Sequence, residues 1–366
     1  RQRVATMAAW AEAAALVGSA LIMGSAFLFA SYAQEAFPPL AICALRLAVG
    51  SCALLLFNAA CGGLSALRGM TLAHCAWLAL VGTLNTVVPY TAVPIALGDG
   101  VGVGVVAVLV SSGPLFVAPL SICVLPGASA RLRRASIVLG LLAGFSGVIL
   151  VSFAKEVHRG PSAWTSTALG TGLPLLATAS KGLAVVVAER YNKSFGEAGL
   201  PFPAQAFVQA ASGAAVALIL SSALDCSGST PRALDPHGLA RDLGCRGFLR
   251  AASLRAWLSL AFLALMGSGV VYLLQFFLVS RAGAVRQSLV DYLAPVTGVA
   301  FGAIFRREWA HASPGHVATF ATGCALTLSG VVLLHRPPGP GTGDSTCAEG
   351  AGSGISLLSS EGERGR

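Results

Sequence analysis

The sequence predicts an all-α integral membrane protein: ten transmembrane helices arranged as two inverted five-helix repeats. Three observations carry that expectation. Of 366 residues, 55% are hydrophobic and only 11% are charged. Apolar runs long enough to span a bilayer as helices follow one another from residue 8 to residue 334. Motifs of the first half return in the second at regular spacings.

Composition comes first. A soluble surface needs about 25% charged residues, more than twice what this chain has. That excludes a soluble enzyme, a nucleic-acid binder and a disordered scaffold. The net charge of +9 sits in short loops between apolar runs, where positive-inside topology explains it. The nine cysteines show no CxxC or Cys/His spacing, so no metal site is implied. Cys226 and Cys245 share one loop, and a disulfide is open to them if that loop faces an oxidising space. Residue 1 is Arg rather than Met, which reads as a trimmed or partial chain and leaves a preceding targeting segment open.

A helical span takes about 20 apolar residues. The segments are 8–31, 39–60, 72–96, 102–125, 135–154, 168–188, 203–223, 257–279, 284–304 and 314–334. They are too uniformly apolar for barrel strands, which alternate. With the N-terminus in the cytoplasm, the cytoplasmic short segments hold eleven Lys and Arg residues and the short outer loops four, while the long outer loop 225–255 adds five Arg. Asn192-Lys193-Ser194 is then a cytoplasmic glycosylation sequon and is expected to be unmodified. The tail 335–366, rich in Gly, Pro, Ser and Glu, is expected to be disordered and cytoplasmic.

The repeat is legible in single residues. Gly140, Ser146, Gly147, Val148 and Leu150 recur 183 residues later as Gly323, Ser329, Gly330, Val331 and Leu333. Pro114 recurs as Pro295 at 181, and Pro38 and Gly50 recur as Pro201 and Gly213 at 163. The 31-residue loop 225–255 answers an 11-residue loop at 61–71, which accounts for the jump in spacing. The repeats are 8–154 and 168–334. Because five is odd, the second must insert upside down relative to the first. Inverted repeats are common in secondary transporters, with the site near the midplane where the repeats meet.

Pro38-Pro39-Leu40 followed by Ala44-Leu45-Arg46 resembles the second helix of an EamA-type repeat of the drug/metabolite transporter superfamily. Ala79-Leu80-Val81-Gly82 through Asn85-Thr86 and Val88-Pro89-Tyr90 is similar to its third helix. Ser112-Gly113-Pro114-Leu115 and Leu293-Ala294-Pro295-Val296 resemble the fourth, and the Gly and Ser-Gly-Val sets above the fifth. The resemblance covers about residues 8–334. It implies a ten-helix transporter with both termini cytoplasmic, in which the fifth and tenth helices stand outside a central cavity. There are departures from the pattern. Where the family often carries a Gly-Glu pair after the fourth helix, Pro126-Gly127-Ala128 and Arg306-Arg307-Glu308 stand instead, and Lys181 is unusual for its position.

Intramembrane charge is the sharpest functional signal, since a central Arg, Lys or Asp costs roughly 2.5–3.5 kcal/mol on insertion scales. Arg46, Lys181 and Asp291 each lie about seven residues, roughly 10 Å, from a helix end. Arg46 reads as an anion-binding group, or as a snorkelling or gating one. Lys181 and Asp291 have equal depth and can form a salt bridge that is structural or a gate; Lys181 alone could hold a carboxylate or phosphate. Asn85, Tyr90, Ser111, Ser112, Tyr272, Gln275 and Tyr292 offer neutral polar contacts to substrate, with interhelical packing as the plain alternative. Pro89, Pro114 and Pro295 are expected helix breaks. Gly140-x-x-x-Gly144 fits close packing inside the chain or a homodimer contact.

The expected function is secondary active transport of a small organic solute (an amino acid, organic acid or other metabolite) by alternating access. The expected partners are that solute and the lipid bilayer, with no nucleic acid and no cofactor. A second reading is transport of nucleosides, purines or drug-like cations. A reading of a different class is a membrane acyltransferase using His237 and Asp242, a spacing that matches a His/Asp pair but stands alone in a charged loop. No Walker motif is present, so ATP does not drive transport from this chain.

Overall fold

The computed structural model describes residues 2–98, 109–125, 135–156, 168–195, 200–231, 235, 238–306 and 314–335. Among these residues the chain is helical, with no strand. The first half comprises α1 (Gln2–Ala33), α2 (Pro39–Ala60), the short α3 (Leu64–Arg68) and α4 (Leu72–Gly82). A π-helical turn, Thr83–Val87, joins α4 to α5 (Val88–Gly98); α6 (Gly113–Val124) and α7 (Ala135–Glu156) follow. The second half holds α8 (Ala168–Phe195), α9 (Phe202–Leu224), α10 (Leu239–Ala251) and α11 (Leu254–Phe262). A second π-helical turn, Leu263–Val270, leads into α12 (Val271–Ala282), then α13 (Ala284–Gln287), α14 (Val290–Arg306) and α15 (Pro314–His335).

Local chemistry sets several boundaries. Pro38 and Pro201 are extended at the N-caps of α2 and α9, and each helix carries a proline in its first two positions, where no N–H is needed. Thr71 and His74 cap α4 reciprocally. Gly283, at φ +84°, ends α12 in a conformation that L side chains resist.

Six of the described helical segments are long and apolar enough to cross a membrane: Trp10–Ala30, Pro39–Ala60, Leu72–Val93, Gly172–Phe195, Phe202–Leu224 and Leu254–Ala282. Leu109–Val124, Ile137–Leu150 and Val317–Leu333 are apolar but shorter. The segment expected at 284–304 is interrupted: the chain turns at Ser288 and Leu289, so α14 begins only at Val290. Bulky apolar side chains face outward, as bilayer contact requires; Leu56 is 70% and Ile219 67% exposed. The expected tail 335–366 lies, beyond His335, outside the described residues.

The helix contacts are reciprocal between halves. α2 packs against α9. α1 packs on α14, and α8 packs on α6. α2 also meets the π turn Leu263–Val270, while α9 meets α4 and the π turn Thr83–Val87. Glycines set the closest approaches. A Cβ on Gly50 would lie 2.9 Å from the Ala264 carbonyl, and one on Gly213 would lie 2.5 Å from the Thr86 hydroxyl. On α7, Gly140 and Gly144 are met from inside the chain: a Cβ on Gly330 of α15 would come 2.6 Å from the Gly140 carbonyl. The Gly-x-x-x-Gly stripe is thus used in α7–α15 packing.

The long loop is stapled onto the bundle. Cys226 and Cys245 form a disulfide. Phe248 of α10 is buried beside Phe37, which also meets Trp257 edge-on. Asp225 accepts hydrogen bonds from the Ser221 and Thr230 hydroxyls, and Asp235 from the backbone N–H of Ala240. Arg255 stacks on Tyr32, its guanidinium carbon 3.6 Å from the ring centroid.

Candidate functional site

The polar side chains inside the bundle fall into two groups. The first lies between α2, α4–α5 and the second half's π turn and α12. Arg46 is buried on α2, and its Nε donates to Ser268 Oγ at 3.0 Å. Its guanidinium carbon lies 4.6 Å from the centre of the Tyr90 ring. Tyr90, Tyr272 and Cys43 are its electrostatic neighbours, and among the described residues no carboxylate pairs with it. A Cβ on Gly267 would stand 3.1 Å from its Nη2, so the π turn approaches the guanidinium because residue 267 carries no side chain. Deeper in the group, Asn85 Nδ2 donates to Gln275 Oε1 at 3.2 Å. The Tyr272 hydroxyl faces Tyr90 yet makes no hydrogen bond of ordinary geometry, and Asn85 Oδ1 also has no partner.

The second group lies between α6, α8 and α14. Lys181 Nζ and Asp291 Oδ1 form a salt bridge, with Lys181 16% and Asp291 7% exposed. A Cβ on Gly113 would lie 2.6 Å from Asp291 Oδ2, so the carboxylate fits against α6 only because residue 113 is glycine. Ser111 and Ser112 are buried at the start of the same helix, and the Ser112 hydroxyl turns back onto the Leu109 carbonyl. Further along α8, Glu189 accepts the Ala284 N–H at 2.6 Å and pairs with Lys193. Arg286 lies 3.9 Å from Glu12 of α1. The α12–α14 linker is thereby tied to α8 and α1.

The prolines act through the groups they leave bare. Pro89 follows a π turn whose N–H groups reach five residues back, so its missing N–H is the one the Leu84 carbonyl would take, and that carbonyl accepts the Ser180 hydroxyl at 2.9 Å; Pro295 has no N–H for the carbonyl of Asp291. Pro114 sits at the start of α6, after a turn at Ser112, whereas α14 runs on through Pro295.

Tyr292 belongs to neither group. Its hydroxyl donates to the Leu141 carbonyl at 2.9 Å and its ring fills the space over Gly144, which anchors α14 to α7. His74 is buried under Tyr191 and Phe195. Asn192 of the sequon is helical and accepts from Gln205 Nε2 at 2.8 Å. Asp242 is exposed, and His237 lies outside the described residues.

Three features escape the sequence. Ser268 and Gly267 look like small residues in an apolar run. The π turn Leu263–Val270 has no proline to announce it, although the small residues at 267–269 between bulky ones are a signal. Gln209 is fully buried on α9 with neither amide atom bonded.

These features define a helical, multi-pass membrane protein with ionised and amide side chains held in its interior. The EamA-like transporter family model matches residues 10–153 and 244–334. The chain belongs to that family, a family of membrane transporters. No curated protein matches the chain. Among solved structures, 24 chains match. One, described only as "Crystal structure of protein", aligns with a TM-score of 0.63 over 88% of this chain and 95% of its own at 16% identity, a likeness of fold alone.

Proposed function

We propose that this chain is a secondary active transporter of a small anionic or zwitterionic organic solute, such as an amino acid or organic acid, working by alternating access. The observation that carries this reading is Arg46, a buried guanidinium held by a hydroxyl and an aromatic face, with no carboxylate on it among the described residues. Burying a charge without a counter-charge is costly, and an anionic substrate group would supply the missing charge. Lys181 differs, because Asp291 already neutralises it. The Lys181–Asp291 pair is the gating element, broken when α8 and α14 separate. Asn85, Gln275, Tyr90 and Tyr272 contact the rest of the solute.

Ten helices in two inverted five-helix repeats are the architecture this mechanism needs, and the reciprocal contacts of α1 with α14 and α8 with α6 support it. The Cys226–Cys245 disulfide supports placing the 225–255 loop on the oxidising side and the N-terminus in the cytoplasm. Catalysis is no part of this reading, in which the exposed Asp242 is a loop surface residue.

The test is a thermal-shift screen on detergent-purified protein with glutamate, malate, inorganic phosphate, adenosine and choline. A ligand that binds only the folded state stabilises it by about 2.7 kcal/mol at a hundredfold excess over Kd. Stabilisation by one of the three anions, lost in Arg46→Ala, is the expected result. Stabilisation by adenosine or choline, unchanged in Arg46→Ala, would instead favour an uncharged or cationic solute read by the Asn85–Gln275 and tyrosine group.

A further inference from the structure

Gln209 is fully buried, and neither its amide nitrogen nor its amide oxygen has a hydrogen-bond partner. Native interiors leave few side chains in that condition, because unmade hydrogen bonds are not repaid. The position explains it. Arg46 and Gln209 are 163 residues apart, the separation of Pro38 from Pro201 and of Gly50 from Gly213. The surroundings correspond as well. One turn beyond Arg46, Gly50 abuts Ser268 in the π turn Leu263–Val270. One turn beyond Gln209, Gly213 abuts Thr86 in the π turn Thr83–Val87. Gly267 lies against the Arg46 guanidinium, and Gly82, at the start of the other π turn, lies against the Gln209 backbone. The two residues therefore hold equivalent positions on their helices, each beside the irregular third helix of the opposite half. π turns often occur at functional sites.

We propose that Gln209 is a specificity-determining, substrate-contacting residue, the neutral counterpart of Arg46, whose amide takes up a hydrogen-bonding group of the solute when the bundle opens to the opposite face. This rests on the transport reading above. One polar side chain of each half then serves one access state: a charged one near one membrane face and a neutral donor–acceptor near the other. The solute binds tightly on the Arg46 side and is released more easily past Gln209. Its amide bonds stay unmade in this arrangement because they belong to the other state.

The test compares wild type with Gln209→Leu, Gln209→Met and Gln209→Asn in proteoliposomes of known sidedness. Labelled glutamate, malate and inorganic phosphate are the probes, with influx measured separately from each face and thermal stability read on the same preparations. Both apolar variants should melt at or above the wild-type temperature, since they remove an unpaired amide. They should also raise the half-saturation concentration about tenfold from the Gln209 face and little from the Arg46 face, with Gln209→Asn partly restoring it. Unchanged transport from both faces in well-folded variants, or an equal loss from both, would overturn the proposal and make Gln209 a packing residue. Should Gln209→Leu not fold, Gln209→Met decides, being close to glutamine in length and volume. If wild type moves none of the probes while retaining its fold, it is the anionic-solute reading that fails, and Gln209 is retested with whichever of adenosine or choline stabilises the protein.

Discussion

At the scale of single residues, the two buried cations have different tasks. Lys181 is satisfied within the chain. Removing either partner leaves a buried charge alone, so Lys181→Ala or Asp291→Asn should destabilise by about 3 kcal/mol, while Lys181→Met with Asp291→Leu should recover most of the loss. Melting temperatures of the singles and the double in one detergent check this; a double no better than the worse single would contradict it. Arg46 should behave the other way: Arg46→Gln is expected to keep or raise stability and to abolish anion-dependent stabilisation. Both cations were legible in the sequence because charge within an apolar run is conspicuous, and the equal depth of Lys181 and Asp291 allowed their pairing. Their settings were less so. Ser268, 222 residues from Arg46, is an ordinary small residue until the fold brings it there. Gln209 is uncharged and looks like any interhelical packing residue.

At the scale of elements, glycine and the 225–255 loop set the packing. Gly330→Leu should force α15 off α7, costing about 2 kcal/mol by overpacking, read as a lower melting temperature. The Cys226–Cys245 disulfide spans 19 residues and stabilises by about 3 kcal/mol on the loop-closure model, so Cys226→Ser or a reductant should lower the melting temperature similarly, and the reductant should not affect the variant. Asp225, at the end of α9, has its carboxyl pushed above the usual carboxylate range by burial, with Asp235 adding to the rise and the Ser221 and Thr230 hydroxyls opposing it. The folded loop thus holds that proton more tightly than the unfolded chain. Its contribution is full below the ordinary value of 3.8 and is lost as pH rises through the elevated one. Melting temperature against pH should show this fall in wild type and not in Asp225→Asn. Most elements were readable from apolar run length. The break at Ser288–Leu289 was marked, by Gly283 and the polar Arg286-Gln287-Ser288, but the apolar stretch that follows Asp291 drew the whole of 284–304 into one span. The π turns were hidden because an extra residue per turn leaves hydropathy untouched.

At the scale of the whole molecule, the regular motif spacings in the sequence are matched by reciprocal helix contacts, with α2 against α9 at the centre. On the proposed alternating-access mechanism the two halves rock against each other, and each rocking step makes and breaks the Lys181–Asp291 pair. On the orientation proposed above from the Lys and Arg asymmetry and the Cys226–Cys245 disulfide, Asn192 should carry no glycan when the chain is expressed in a glycosylating host; a mass shift at that residue would reverse the proposed topology. The measurement that decides between a carrier and a pore is counterflow in proteoliposomes. Vesicles are preloaded with unlabelled glutamate, malate or inorganic phosphate and given a trace of the labelled solute outside. Transient, saturable accumulation above equilibrium in wild type, absent in Arg46→Ala, is the expected result. A flux that does not saturate, ignores the preloaded solute and survives Arg46→Ala would contradict alternating access at an Arg46 site.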